Sequence, residues 1–211
     1  KATSEATAGT NIMLDDGIWS QQRTLNNRAF KWWGNGVTEI NASVVSIYFY
    51  NDAFYFLRAI DLTQTTSKVL FVNCFCKNFL STNEGCYNYQ NCYVENCGFG
   101  ANNRPLFAPI FGNIFINVSA DQIQSGSPHF KIENNVIIGT VPNFGLNQYC
   151  DYNNYTTNTI PTTNGANSHS INNASTGQTV ADYFNNAALG DYTAKAGSAN
   201  LGAGFNRHNI G

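Results

Sequence analysis

Runs of four to six residues in which apolar and polar side chains alternate recur through the middle of the chain, each ending near Asn or Gly. Phe71-Val72-Asn73-Cys74-Phe75 is followed by Tyr93-Val94-Glu95-Asn96-Cys97, then Phe115-Ile116-Asn117-Val118, then Lys131-Ile132-Glu133-Asn134-Asn135-Val136. A period of two is the signature of a strand with one face inward. Such strands are too short to bury an apolar face alone, whereas stacked copies bury it together. Taking Val72, Val94, Ile116 and Ile132 as equivalent gives steps of 22, 22 and 16 residues. A leucine-rich repeat needs Leu at several fixed positions, and this stretch holds only Leu70, Leu80 and Leu106. Asn at strand ends favours a parallel β-helix, where a residue in the left-handed region turns the chain and side-chain amides stack from coil to coil. Asn73, Asn96, Asn117, Asn134 and Asn135 are the candidates. The pattern predicts an all-β, single-stranded parallel β-helix. An antiparallel jelly-roll or sandwich is the alternative, because regularly spaced short strands describe it too.

Composition narrows this further. Only 11% of residues are charged against 43% hydrophobic and 14% aromatic, and Asn, Gly, Ser and Thr, all poor helix propagators, fill much of the rest. The 11 Lys and Arg are scattered singly in a chain of net charge -2, so the clustered basic stripe of a nucleic-acid binder is missing. No apolar run reaches the length of a membrane span, and Lys-Ala-Thr-Ser-Glu at the start lacks a signal-peptide core, so no membrane insertion is expected. The 211 residues suffice for one core and are read as a single domain. Cys74, Cys76, Cys86, Cys92, Cys97 and Cys150 include no CxxC pair, so no metal and no cofactor is expected; they are read as buried free thiols, with one or two disulfides as the alternative.

Residues 8 to 42, from Ala8-Gly9-Thr10-Asn11 through Asp15-Asp16-Gly17-Ile18-Trp19 to Gly34-Asn35-Gly36-Val37, resemble the first coils of pectate-lyase-like right-handed parallel β-helices. The stretch Gly190-Asp191-Tyr192 to Gly202-Ala203-Gly204 is similar to the closing segment of secreted β-helix proteins, and the apolar-Asn-Cys pattern to their coil repeat. The resemblance implies N-terminal coils over residues 1–45, central coils over 46–140, irregular coils or a long loop over 141–189, and a C-terminal closure over 190–211. That superfamily includes lyases, hydrolases, epimerases, phage tailspikes and adhesins, so the fold does not choose an activity.

Candidate chemistry is sparse. With Val94 and Ile132 inward, Glu95 and Glu133 are expected in one outward column, two coils and roughly 9.6 Å apart by the inter-strand spacing. That separation suits an inverting glycoside hydrolase. Asp121, His129 and Lys131 lie close in sequence, and a polysaccharide lyase could take its base from His129 and its cation from Lys131 or Arg104. The catalytic candidates are therefore Glu95, Asp121 and Glu133. Asp15-Asp16-Gly17 reads as a turn rather than a calcium site. Aromatic residues point elsewhere. Trp32 and Trp33 are adjacent, so one faces inward and one outward, and Tyr87, Tyr89 and Tyr93 continue the enrichment. Exposed rings stack on the apolar faces of sugars. The substrate-binding candidates are Trp32, Trp33, Tyr87 and Tyr89. The expectation is an extracellular or virion-surface module that recognises a polysaccharide or cell-surface glycan without catalysis, and the resemblance to tailspikes implies a homotrimer. A polysaccharide lyase or glycoside hydrolase and a purely structural virion decoration are the rival readings.

Overall fold

The computed structural model describes residues 11–19, 31–41, 53–60, 68–78, 86–97, 109–118, 131–139, 149–155, 169–172, 179–189, 191–204 and 210. Within them the chain coils as a parallel β-solenoid in which each coil contributes two short strands. The first coil carries β1 (Asn11–Met13) and β2 (Ile18–Trp19), the second β3 (Lys31–Trp33) and β4 (Glu39–Asn41). β5 (Ala53–Tyr55) and β6 (Arg58–Ile60) form the third, β7 (Lys68–Val72) and β8 (Phe75–Lys77) the fourth, β9 (Cys86–Gln90) and β10 (Tyr93–Glu95) the fifth. β11 (Ile110–Phe111) and β12 (Ile114–Ile116), β13 (Lys131–Glu133) and β14 (Val136–Ile138), and β15 (Tyr149–Asp151) and β16 (Asn154–Tyr155) follow. β17 (Ile171–Asn172) extends the stack once more. Odd-numbered strands β1 to β15 pair in order as one parallel sheet, called A, and even-numbered strands β2 to β16 with β17 form the second, B. The all-β parallel β-helix is thus the architecture, and the antiparallel sandwich is excluded by the parallel registers.

The coil length varies, which corrects the repeat assigned above. In sheet A the inward residues Phe54, Phe71 and Tyr89 follow one another in register, and so do Ile110, Ile132 and Cys150. In sheet B the inward series is Ala59, Cys76, Val94, Phe115, Ile137, Tyr155. Val72 and Ile132 belong to sheet A while Val94 and Ile116 belong to sheet B, so the four are not equivalent. Both strands of a coil carry the same apolar-polar alternation, and a period read across them mixes the two sheets.

A two-residue corner joins the sheets within a coil. Its first residue turns the chain through the left-handed region: Phe56, Asn73, Asn91, Gly112, Asn134 and Tyr152 have φ of 53°, 53°, 51°, 67°, 59° and 55°. Asn tolerates this conformation because its short side chain bonds locally, and Gly112 carries no Cβ to clash. Asn78, Asn96, Asn117 and Gly139 do the same after sheet B. The left-handed role expected of Asn73, Asn96, Asn117 and Asn134 is therefore observed.

The second corner residue points inward, and here the interior becomes polar. Asn113, Asn135 and Asn153 are fully buried one above another, and each carboxamide oxygen accepts the backbone N–H of the corner below: Cys92 N–H donates to Asn113 at 2.8 Å, Asn113 N–H to Asn135 at 3.0 Å, and Asn135 N–H to Asn153 at 3.0 Å. Side-chain amides link Asn113 to Asn135 and Asn135 to Asn153 at 2.9 Å each. Ser170 Oγ closes the ladder by accepting the Asn153 N–H at 3.0 Å. At the other end Cys92 Sγ accepts the Cys74 N–H at 3.4 Å. Leaving such a buried N–H unpaired costs about 1–3 kcal/mol, so the ladder is what makes a polar column tolerable in the core.

Beside it runs a column of rings. Trp32, Phe54, Phe71 and Tyr89 stack at centroid spacings of 6.1, 5.3 and 5.6 Å, with Phe115 meeting Tyr89 edge-on at 6.0 Å. Cys74, Cys76, Cys92, Cys97 and Cys150 are buried free thiols in the same core. The C-terminal segment, with helix α1 (Val180–Tyr183) and the antiparallel hairpin of β18 (Phe184–Asn186) and β19 (Asp191–Ala194), lies against the outer face of sheet B. Tyr183, Phe184 and Ile210 there bury Ile114, Val136 and Ile138. Side chains buried in this way stabilise by about 1.5–3 kcal/mol each.

Candidate functional site

The outer face of sheet A presents one continuous column. Trp33, Tyr55, Val72, Gln90, Phe111, Glu133 and Asp151 are successive register partners. At the strand spacing of roughly 4.8 Å, its six steps span about 29 Å. The Trp33 and Tyr55 rings stack at 4.1 Å and 10°, both half-buried, and Phe56 at the adjoining corner lies 6.3 Å from Trp33. Trp33 Nε1 donates to Asn11 Oδ1 at 3.3 Å, so the indole is fixed from the coil below by a polar bond and from the coil above by a ring. Phe111 is 36% exposed in the middle of the column.

The far end is polar. Asp151 is 2% exposed and Glu133, one coil below it, 8%. Lys131 Nζ lies 3.5 Å from Glu133 Oε1 and 5.7 Å from the Tyr149 ring centroid. Asp151 receives His169 Nδ1 at 2.7 Å on one oxygen, and on the other the backbone N–H groups of His169 at 2.7 Å and Tyr152 at 2.9 Å. Burial pushes the Asp151 carboxyl up, but these bonds and the nearby His169 outweigh it and hold it below the ordinary carboxylate value. The Tyr149 phenol is pushed up by desolvation and by the Asp151 and Glu133 charges, so it keeps its proton. The His169 ring lies flat on Tyr152, centroids 4.7 Å apart at 4°.

Of the residues singled out from sequence, Trp33 reaches this face, and so does Glu133. Trp32 and Tyr89 do not. They alternate with outward neighbours on their strands and are buried in the ring column at 7% and 0% exposure, where no ligand can stack on them. Tyr87 pairs with Val69 in β9, its side chain lying outside the described residues. Glu95 sits on the outer face of sheet B, not beside Glu133 on sheet A, so the expected carboxylate column is not formed. Both Glu95 oxygens are engaged, by Lys77 Nζ at 3.1 Å and by the Tyr93 hydroxyl at 2.9 Å. Asp121, His129 and Arg104 lie outside the described residues. Among the described residues no group of three His, Cys, Asp or Glu side chains is placed to hold a metal ion.

Sequence reasoning missed Asp151 and did not adopt His169 as a site residue; both fall in the stretch read as irregular coils or a long loop. A signal was present: Tyr149-Cys150-Asp151-Tyr152-Asn153 repeats Lys131-Ile132-Glu133-Asn134-Asn135 as apolar, acid, corner and Asn, and the two segments are register partners. No family model matches the chain, and neither the curated proteins nor the solved structures contain a match to it.

Proposed function

We propose that this chain is an extracellular or virion-surface β-helix module that recognises a polysaccharide or cell-surface glycan along the outer face of sheet A. The stacked Trp33–Tyr55 pair carries the reading, because it holds two half-buried rings rigidly on the outer face, where their uncovered parts can pack on the C–H groups of a sugar ring. Gln90 and the corner Asn73, Asn91 and Asn134, on the fourth, fifth and seventh coils, supply amides suited to hydroxyls along the same face. Low charge and a column about 29 Å long suit an extended, neutral chain laid parallel to the solenoid axis. The resemblance to tailspike-like β-helices further supports a homotrimer, which light scattering measures directly.

The test is a glycan array with the intact chain and Trp33→Ala. Truncating this aromatic anchor is expected to weaken binding about tenfold, with the far-UV circular dichroism of the parent retained. Equal affinity of Trp33→Ala and parent for every bound glycan overturns the reading.

A further inference from the structure

His169 and Asp151 have no part in ring stacking on sugars, yet the imidazole is held more firmly than any other polar group of the outer face described above. Asp151 fixes both its Nδ1 and its backbone N–H at 2.7 Å, and Tyr152 fixes the ring plane. The carboxylate is 3% exposed at its side chain while the imidazole is 58% exposed, so the orienting group is buried and the oriented one faces outward. A carboxylate on Nδ1 places the proton there and leaves Nε2 as the basic nitrogen, and it stabilises the imidazolium formed when Nε2 takes a proton.

Resting on the glycan reading, we propose that His169, oriented by Asp151, is the general base of an esterase that removes neutral O-acyl groups from the bound sugar chain. The charge of the surroundings selects this class. Among the described residues, the groups facing the imidazole and its carboxylate are Asp151 and Tyr152 in contact, with Tyr149 on the same strand as Asp151 and Glu133 and Lys131 on the adjoining one. Two carboxylates against one fixed ammonium leave the site net negative while the imidazole is neutral, which opposes an anionic uronate and accepts a neutral ester. In the reaction Nε2 takes a proton from water as the water oxygen adds to the acyl carbon and the carbonyl π pair moves to its oxygen. Collapse restores the carbonyl and breaks the bond to the sugar oxygen, which receives the proton back from the imidazolium. A carboxylic acid and a free sugar hydroxyl are formed, and water is the sole co-reactant.

The experiment follows acetate release by the intact chain from acetylated xylan and from methyl glucoside tetraacetate, across pH, beside glycan-array binding. Release is expected, with an ascending pH limb that His169→Gln lacks. His169→Gln and Asp151→Asn are expected to lower the rate by about 10²–10⁴-fold while keeping the parent circular dichroism. Glycan retained on the array with no acetate from either ester overturns the esterase, as does His169→Gln matching the parent. Acetate from the small ester with no glycan retained upholds the base and overturns the glycan strip instead. Ultraviolet absorbance from new double bonds on a uronate polymer, without acetate release, overturns the ester class.

Discussion

Replacing Asn135 by Ala isolates the interior amide ladder. The carboxamide oxygen accepts the Asn113 backbone N–H at 3.0 Å and the Asn113 Nδ2 at 2.9 Å, and its Nδ2 reaches Asn153 Oδ1 at 2.9 Å and the Glu133 carbonyl at 3.0 Å. After truncation, Asn113 Nδ2 still has the Tyr89 carbonyl at 2.9 Å, and Asn153 Oδ1 still has the Asn135 N–H at 3.0 Å. The backbone N–H of Asn113 loses its acceptor. An orphaned buried donor costs about 1–3 kcal/mol, and the three further hydrogen bonds at about 1 kcal/mol each bring the expected loss to roughly 4–6 kcal/mol. Asn134, the neighbouring corner residue, is the control: its left-handed φ of 59° makes Asn134→Ala cost about 1–2 kcal/mol, and Asn134→Gly much less. Urea denaturation followed by circular dichroism gives the totals. Amide hydrogen exchange gives the location, with accelerated exchange expected at Asn113. A loss under about 1 kcal/mol for Asn135→Ala, or unchanged protection of the Asn113 amide, refutes the assignment of the ladder as a stabilising element.

Further outcomes are expected elsewhere. Gly112→Ala should destabilise by more than about 1 kcal/mol in urea, because φ is 67° and the Asn91 side-chain oxygen occupies the place a Cβ would take. Asp151 titrates below its ordinary value of 3.8 in the folded chain, so its contribution is fully present above that value and is lost as pH falls through the depressed one. Acid unfolding followed by circular dichroism should therefore lose part of its steepness below about pH 4 in Asp151→Asn, and superimposable curves count against the Asp151–His169 bond. Burial pushes the Cys76 and Cys150 thiols up to about 12, so neither should be alkylated at pH 8 until urea unfolds the chain. Mass spectrometry showing either modified in the native protein removes them from the core.

Much of the solenoid was legible because alternation and turn chemistry are local. The strands around Phe71, Val94, Phe115 and Ile132 stand where the pattern put them, and Asn73, Asn96, Asn117 and Asn134 turn the chain as their chemistry suggests. What local pattern could not supply was which of two similar strands in a coil a given residue occupied. Successive corner side chains are 21, 22, 18 and 17 residues apart from Cys92 to Ser170, so no fixed period exists to be read. That ambiguity put Glu95 beside Glu133, and it also hid the acid at Asp151, whose partner His169 arrives 18 residues later across a stretch dense in Asn and Thr. Trp32 and Trp33 show the opposite case. Adjacency on a strand forces them to opposite faces, and only the packing decides that Trp32 is the inner one.

The ladder also has a direction. Each rung's acceptor lies on the following coil, so the N–H of Asn113 waits for Asn135, that of Asn135 for Asn153, and that of Asn153 for Ser170. Because a ribosome delivers the N-terminal end first, each of the turns at Asn113, Asn135 and Asn153 carries one unpaired amide until 17 to 22 more residues have been translated. Growth is thereby rewarded one coil at a time, and a message cut short after Asn113 or Asn135 yields a product whose last turn is the weakest. Ser170 is the stop: its hydroxyl accepts the final N–H at the point where the stack of coils gives way to the C-terminal segment that seals its side.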